Sequence, residues 1–195
     1  MKNFYVYKVD SYLPLFFLTY RKFKSFFIFL GGDLMEIRKE TLRTKQLAIS
    51  GLVLALYTVI MVLTQSFAFG AVQIRIATTL YSLSYLFPFL VLPLGLANVL
   101  SNMLLGGLGV FDILGGGLVG ILTSILVYAV RKYKLNINFI ILPIILIPGL
   151  VVPMWLAPIL KMSYIPLAGS LCLGQVVPAI LGTILIKILK SRIGE

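Results

Sequence analysis

Residues 47–63 read LAISGLVLALYTVIMVL, an apolar run without a charged side chain. The hydrocarbon core of a bilayer is about 30 Å thick, so a helix needs roughly 20 mostly apolar residues to cross it. Further apolar runs follow at residues 80–89, 90–105, 113–130, 139–160 and 166–189. We therefore predict an all-α integral membrane protein, built as a bundle of six transmembrane helices.

The distribution of charge supports this fold class. The chain is 60% hydrophobic and 12% charged, whereas a soluble domain has about 25% charged residues. Its formal net charge of +11 comes largely from three basic clusters. The first cluster is Arg38, Lys39, Arg43 and Lys45, the second is Arg131, Lys132 and Lys134, and the third is Lys187, Lys190 and Arg192. The clusters lie before the first run and after the fourth and sixth runs. Six crossings place these three positions on the same side of the membrane, and the positive-inside rule identifies that side as cytoplasmic. We therefore expect both termini in the cytoplasm and no nucleic-acid partner.

The composition also limits the chemistry of the chain. It has no histidine, one cysteine (Cys172) and six acidic residues, so side chains that hold metals or perform acid–base catalysis are scarce. The sequence contains no phosphate-binding loop, which is the element that cradles ATP in many ATPases. We therefore predict no enzyme activity, metal site or cofactor, and we assign any linked ATP hydrolysis to partner subunits.

Residues 1–34 differ from the rest of the chain. They contain two short aromatic runs split by basic residues, and neither run is long enough to cross a bilayer. Residues 31–34 (GGDL) followed by Met35 are what an in-frame ribosome-binding sequence, GGAGGTGAT, and a start codon would encode. We expect translation to start at Met35 rather than Met1, so that 1–34 is a misassigned upstream or disordered segment and 35–195 is a single membrane domain. An amphipathic arm and a targeting segment are the alternatives.

Small residues recur along the first apolar run. Ala48, Gly51 and Ala55 are three and four positions apart, so they share one helix face and allow another backbone to approach closely. This face is explained either by packing within the bundle or by docking of a partner helix.

Polar side chains in the runs and outer loops are the candidates for a binding site. Such groups are costly in a membrane and face the bundle interior or water. The predicted topology gathers them in the outer half of the bundle, where they suit a small planar polar molecule. Asn98 and Asn102 could instead bond between helices, and Asp112 could cap the next helix. The candidate substrate-binding residues are Gln73, Arg75, Thr78, Asn102, Asp112 and Gln175.

Two motifs resemble a known family. Residues 69–75 (FGAVQIR) and 104–112 (LLGGLGVFD) resemble the QueT family, the queuosine-precursor substrate-binding subunits (S-components) of energy-coupling factor (ECF) transporters. The resemblance implies a six-helix S-component in a prokaryotic plasma membrane, which captures a 7-deazaguanine or related nucleobase from outside. It also implies docking, through the small face of the first helix, on an ECF transmembrane coupling subunit driven by two ATPase subunits.

The chain departs from the family pattern at three places. Thr78 and Gln175 stand where the family commonly has acidic residues, and an asparagine of the fifth helix is missing from residues 143–153. A carboxylate would pair with a ligand amine, whereas Gln175 offers neutral hydrogen bonds. The ligand is therefore expected to be a neutral variant. An S-component for another vitamin or small molecule is the alternative, as is a stand-alone secondary carrier, although we find no internal repeat of the kind such carriers have.

Overall fold

The computed structural model describes residues 40–68, 73–105 and 109–194. Our predictions on residues 1–34 and on a start at Met35 therefore lie outside the described residues. The contacts divide the chain into two units, Met1–Leu47 and Ala48–Glu195. Of the first unit, the described residues 40–47 are exposed and helical. The second unit contains all the packing described below.

The described residues are almost entirely helical and contain no strand. Four helical stretches are long and apolar enough to cross a membrane, with mean hydropathy between 2.0 and 2.5, and Pro88–Leu104 is a shorter apolar one. The chain is thus a helical membrane protein, and the number of six crossings stays a prediction. The elements are α1 Glu40–Leu63, α2 Gln65–Ala68, the 3₁₀ helix Ile76–Tyr85, the 3₁₀ turn Pro88–Leu90, α3 Val91–Leu104, α4 Val110–Lys132, the 3₁₀ turn Ile137–Ile140, α5 Ile141–Val151, α6 Pro153–Leu160 and α7 Tyr164–Ile193.

Exposure in this molecule is the reverse of that in a soluble protein. Large apolar side chains cover the outside, for example Leu63 at 78% and Leu173 at 69% exposure. Polar side chains such as Arg75, Asn102 and Gln175 are buried. A soluble protein rarely exposes continuous apolar surface on this scale. Lipid is therefore the solvent of the outer surface.

The structure differs from our prediction of an apolar helix over residues 80–89. The structure has the 3₁₀ helix Ile76–Tyr85 instead, which begins earlier in the chain and rises about 2 Å per residue. Thr78, Ser82 and Ser84 each donate a hydroxyl hydrogen bond to the carbonyl oxygen three residues earlier, at 2.6–2.7 Å. These side-chain bonds follow the three-residue spacing of the 3₁₀ helix and support its tighter winding.

Arg131 closes the end of this 3₁₀ helix. From the last turn of α4, its Nη1 donates to Leu86 O at 2.8 Å and to Tyr85 O at 3.3 Å. The last carbonyls of a helix have no partner within the helix and carry partial negative charge. A guanidinium therefore satisfies them and joins the end of the 3₁₀ helix to α4.

Three apolar clusters hold the helices together. Tyr57 and Leu94 belong to the first, in which α1 packs on the 3₁₀ helix and α3. Ile144 and Ile186 belong to the second, where α5 and α7 meet the end of α4. Leu156 belongs to the third, which joins α6 to α4 and α7.

Gly149 sets the close approach of α5 to α7. A Cβ placed on it would lie 3.1 Å from both Cα and N of Cys172 and closer still to the Cys172 Sγ. Gly169, also helical, has no neighbouring atom within 4 Å of such a Cβ among the described residues. The first glycine is therefore required by packing, whereas the second is not.

We predict that Gly149→Ala lowers the melting temperature of the purified protein in detergent by several degrees. The added methyl group forces α5 away from backbone atoms of α7, and overpacking of this kind costs about 1–3 kcal/mol. Thermal unfolding monitored by size-exclusion chromatography measures the effect. Gly169→Ala is the matched control and should leave the melting temperature equal or higher, because alanine favours helices by up to about 1 kcal/mol. Equal melting of the two variants would contradict the packing argument.

Candidate functional site

A small cavity lies among the 3₁₀ helix, α3, α4, α5 and α7. Its volume of about 10 Å³ holds roughly one water molecule, whereas cavities for small ligands measure about 300–1,000 Å³. The described conformation is therefore closed around this point. The polar residues of its lining are Gln73, Arg75, Thr78, Tyr81, Asn98 and Gln175, and the apolar ones are Val119, Pro148, Val152 and Leu171.

Thr78 links two other members of this lining. Its Oγ1 lies 2.7 Å from Arg75 O and 2.7 Å from Gln175 Oε1. A hydroxyl carries one proton, so Thr78 donates to one of these acceptors at a time, unless the Gln175 amide turns over and donates from Nε2. In either arrangement Thr78 fixes the amide of Gln175, from α7, beside the start of the 3₁₀ helix.

Arg75 and Gln73 enter the cavity from the segment that precedes the 3₁₀ helix. Arg75 is 6% exposed and is the one charged side chain that lines the cavity among the described residues. Gln73 is buried and has a φ of +29°, a region that residues other than glycine seldom adopt. Strain of this kind persists where the surroundings impose it, and it is frequent at binding sites.

Tyr81 is the centre of a buried hydrogen-bond network. Its hydroxyl accepts from Asn98 Nδ2 at 2.7 Å and lies 3.1 Å from the hydroxyl of Tyr57, where either oxygen can be the donor. Asn98 Nδ2 also donates to Gly116 O at 2.8 Å. One phenol thus joins α1, the 3₁₀ helix, α3 and, through Asn98, α4.

Asn102 and Asp112 form a second polar group beside the first. Asn102 Nδ2 donates to Asp112 O at 2.9 Å, and Trp155 Nε1 donates to Asp112 Oδ1 at 3.3 Å. A Cβ on Gly116 would collide with the Asn102 side chain and lie 3.1 Å from Asn98 Oδ1. Both asparagines therefore face the same stretch of α4, one helical turn apart.

Two buried oxygens of this network lack a hydrogen-bond partner among the described residues. Asn98 Oδ1 and Asn102 Oδ1 receive no hydrogen bond from the described residues, although the side chains are 2% and 0% exposed. An unmet acceptor in a buried position costs about 1–3 kcal/mol. Asn98 also lines the cavity.

The structure brings together most of the predicted binding residues. Gln73, Arg75, Thr78 and Gln175 line one cavity. Asn102 and Asp112 do not line it and belong to the adjoining group. Asn98 and Tyr81 complete the cavity, while Tyr57 was missed by the sequence reasoning. A tyrosine within an otherwise apolar run was the feature that could have identified it, because its hydroxyl needs a partner when buried.

The small face of α1 points away from the packed bundle. Ala48, Gly51 and Ala55 are all exposed. A Cβ placed on Gly51 meets no atom within 4 Å among the described residues. Packing within the described bundle therefore does not explain these small residues.

Comparison with known proteins identifies a protein family. A family model described as QueT transporter matches residues 47–191. No curated protein and no solved structure matches the chain significantly. The matched range includes every residue of the cavity and the small face of α1.

We predict that Tyr81→Phe destabilises the protein more than Tyr57→Phe. Loss of the Tyr81 hydroxyl leaves the Tyr57 hydroxyl without a described partner and removes an acceptor from Asn98, at a cost of about 1–3 kcal/mol. Loss of the Tyr57 hydroxyl leaves the bond between Asn98 and Tyr81 intact, so we expect about 0.5–1 kcal/mol.

Melting temperatures of the two variants in the same detergent test this order. Both substitutions remove a single oxygen from a fully buried ring, so each is the matched control for the other. If Tyr57→Phe lowered the melting temperature as much as Tyr81→Phe or more, Tyr81 would not be the central residue of the network.

Proposed function

The chain belongs to the QueT transporter family, and from this premise we propose that it is the S-component of an ECF-type importer. In this role it captures a 7-deazaguanine of the queuosine-precursor type, or a related nucleobase, from outside the cell. Uptake then depends on ATP hydrolysed by partner subunits. The observation that carries the proposal is the meeting of Gln73, Arg75, Thr78 and Gln175 at one buried cavity within a chain of this family.

The chemistry of the cavity suits a guanine-like edge. Such an edge presents a carbonyl oxygen beside ring and amino N–H groups, and proteins read it through hydrogen bonds. Arg75 supplies a donor, Asn98 Oδ1 is an acceptor with no described partner, and the amide of Gln175 can serve as either. Tyr81 adds an aromatic ring to the same lining.

The charge of the cavity favours a neutral ligand over a cationic one. Arg75 is the one charged group among the described lining residues, and no described carboxylate lies there to neutralise a ligand amine. Like charges in a poorly solvated site repel each other strongly. A 7-cyano-7-deazaguanine therefore fits this chain better than a 7-aminomethyl-7-deazaguanine.

The small volume of the cavity implies that binding includes a conformational step. Space for about one water molecule does not hold a two-ring base. The lining must therefore separate before the ligand enters, and closure around it would exclude water from the hydrogen bonds of Arg75 and Gln175. Capture followed by closure is the sequence of events that an importer subunit requires.

The proposed orientation places both termini in the cytoplasm. Arg131, Lys132, Lys190 and Arg192 lie in the last turns of α4 and α7, which marks those ends as cytoplasmic under the positive-inside rule. Six crossings, with the 3₁₀ helix as the second, satisfy this arrangement. In this orientation the cavity faces the outside of a prokaryotic plasma membrane.

The exposed small face of α1 is the proposed docking surface for the ECF coupling subunit, which two ATPase subunits drive. Small side chains allow two helices in a membrane to come into backbone contact. Ala48, Gly51 and Ala55 are exposed and leave such a surface open. Docking there is compatible with a ligand held at the cavity, because none of the three residues lines it.

We predict that the purified protein binds 7-cyano-7-deazaguanine without ATP, and at least about tenfold more tightly than the 7-aminomethyl compound. Gln175→Glu should narrow or reverse this preference, since a charge-assisted hydrogen bond to an amine is worth about 1.5–3 kcal/mol. Isothermal titration in detergent measures both affinities. Absence of heat with every 7-deazaguanine, beside a working positive control, would remove the ligand assignment.

The position of the site is tested by two isosteric substitutions of buried threonines. Thr78→Val removes the hydroxyl that contacts Gln175 and Arg75 and should weaken binding about tenfold. Thr123→Val removes a hydroxyl that donates only to Val119 O, so binding should stay within about twofold. Equal losses of ligand affinity in the two variants would show that the ligand does not bind at this cavity.

We predict that Gly51→Leu blocks assembly with the coupling subunit while ligand binding is retained. A leucine on the small face keeps the backbones of the two helices apart. Co-purification with the tagged coupling subunit measures assembly. Gly169→Leu, at another glycine with open space around it, is the control and should assemble normally. Unchanged co-purification of Gly51→Leu would show that this face is not the docking surface.

A further inference from the structure

A basic recess lies at the C-terminal end of α7, about three helical turns beyond Gln175. It shares no lining residue with the binding cavity. It has a volume of about 510 Å³ between the end of the 3₁₀ helix, the connection from α4 to α5 and the last turns of α7. Lys187, Lys190, Ser191 and Asn136 provide its polar wall, and no acidic side chain lines it among the described residues. The recess is therefore suited to an anionic group.

Within residues 41–194, no acidic side chain lies close to this recess. Asp112 is the one acidic residue between positions 41 and 194. It lies in the first turn of α4, whereas Arg131 lies in the last turn, about 28 Å further along the helix at 1.5 Å per residue. Lys187 and Lys190 thus face the recess without a compensating carboxylate from residues 41–194.

An apolar groove adjoins the recess. It has a volume of about 330 Å³ between the second half of α4 and the start of α5. Leu135 lines both the groove and the recess, so the two meet at this side chain. From Phe139 to Ile147 the groove follows about 12 Å of helix, which is most of the roughly 15 Å thickness of one leaflet.

We propose that the recess and the groove together bind one anionic phospholipid, with its phosphate between Lys187 and Lys190 and an acyl chain along the groove. Basic pockets between membrane helices bind anionic headgroups in this way. A free phosphate would use the lysines and leave the groove empty. A zwitterionic lipid would fill the groove and leave the charge of the lysines uncompensated. The combination of the two surfaces therefore selects an anionic lipid, independently of the proposed transport function.

Native mass spectrometry of the full chain, delipidated and then titrated with phosphatidylglycerol or phosphatidylcholine, tests this site. We expect the first retained lipid to be phosphatidylglycerol, with at least tenfold preference. Lys187→Gln with Lys190→Gln should weaken its retention roughly 25-fold, because each lysine near a charged lipid surface contributes about a fivefold effect. Ala129→Phe, which fills the groove, should weaken retention although both lysines remain.

The matched control is Lys132→Gln with Lys134→Gln, which removes equal charge from the same end of the bundle outside the recess. It should retain phosphatidylglycerol as the unmodified protein does. Glycerol phosphate, added at the same concentration, should not be retained. Equal retention of the two lipids, an equal loss in the control pair, or binding of glycerol phosphate as tightly as of the lipid would each overturn the proposal.

Discussion

Lipid offers no hydrogen bonds, so a polar group of this chain that leaves water is costly unless it finds a partner inside the protein. The 3₁₀ helix Ile76–Tyr85 meets this constraint with hydroxyl bonds to its own carbonyls and with Arg131 at its end. Because three residues make one turn, Thr78 and Tyr81 come to lie one above the other. The wall of the cavity is a direct result of this winding, and the helices around it supply Asn98 and Gln175.

Much of the architecture follows from sequence alone, because apolar length and the position of basic residues are strong one-dimensional patterns. They identify α1, α4, the stretch Ile137–Leu160 and α7 as helices able to cross a membrane. The helix Ile76–Tyr85 could not be predicted as a 3₁₀ helix, since its serines and threonines are compatible with either an α or a 3₁₀ winding. The sequence predicted only part of the cavity. Polar side chains in an apolar chain are evident from the sequence, as are Gln73, Arg75, Thr78 and Gln175. The role of Tyr57 depends instead on a contact between residues that are far apart in the chain.

Three distinct surfaces lie in different parts of the bundle. The cavity lies among the 3₁₀ helix, α3, α4, α5 and α7, while the small face of α1 points outward and the basic recess lies at the end of α7. Their lining residues do not overlap. In the proposed importer, ligand capture, docking and contact with lipid therefore use different surfaces, and a substitution at one need not disturb the others.

Trp155 is the one tryptophan of the chain, and its indole N–H contacts the carboxylate of Asp112 while its ring lies over Gly115. Asp112 is in turn bonded through its carbonyl to Asn102, one helical turn from Asn98 in the cavity wall. A negative charge beside an indole alters the energy of its excited state. The protein therefore carries its own optical reporter, whose emission colour depends on the distance between Trp155 and Asp112 and needs no attached dye.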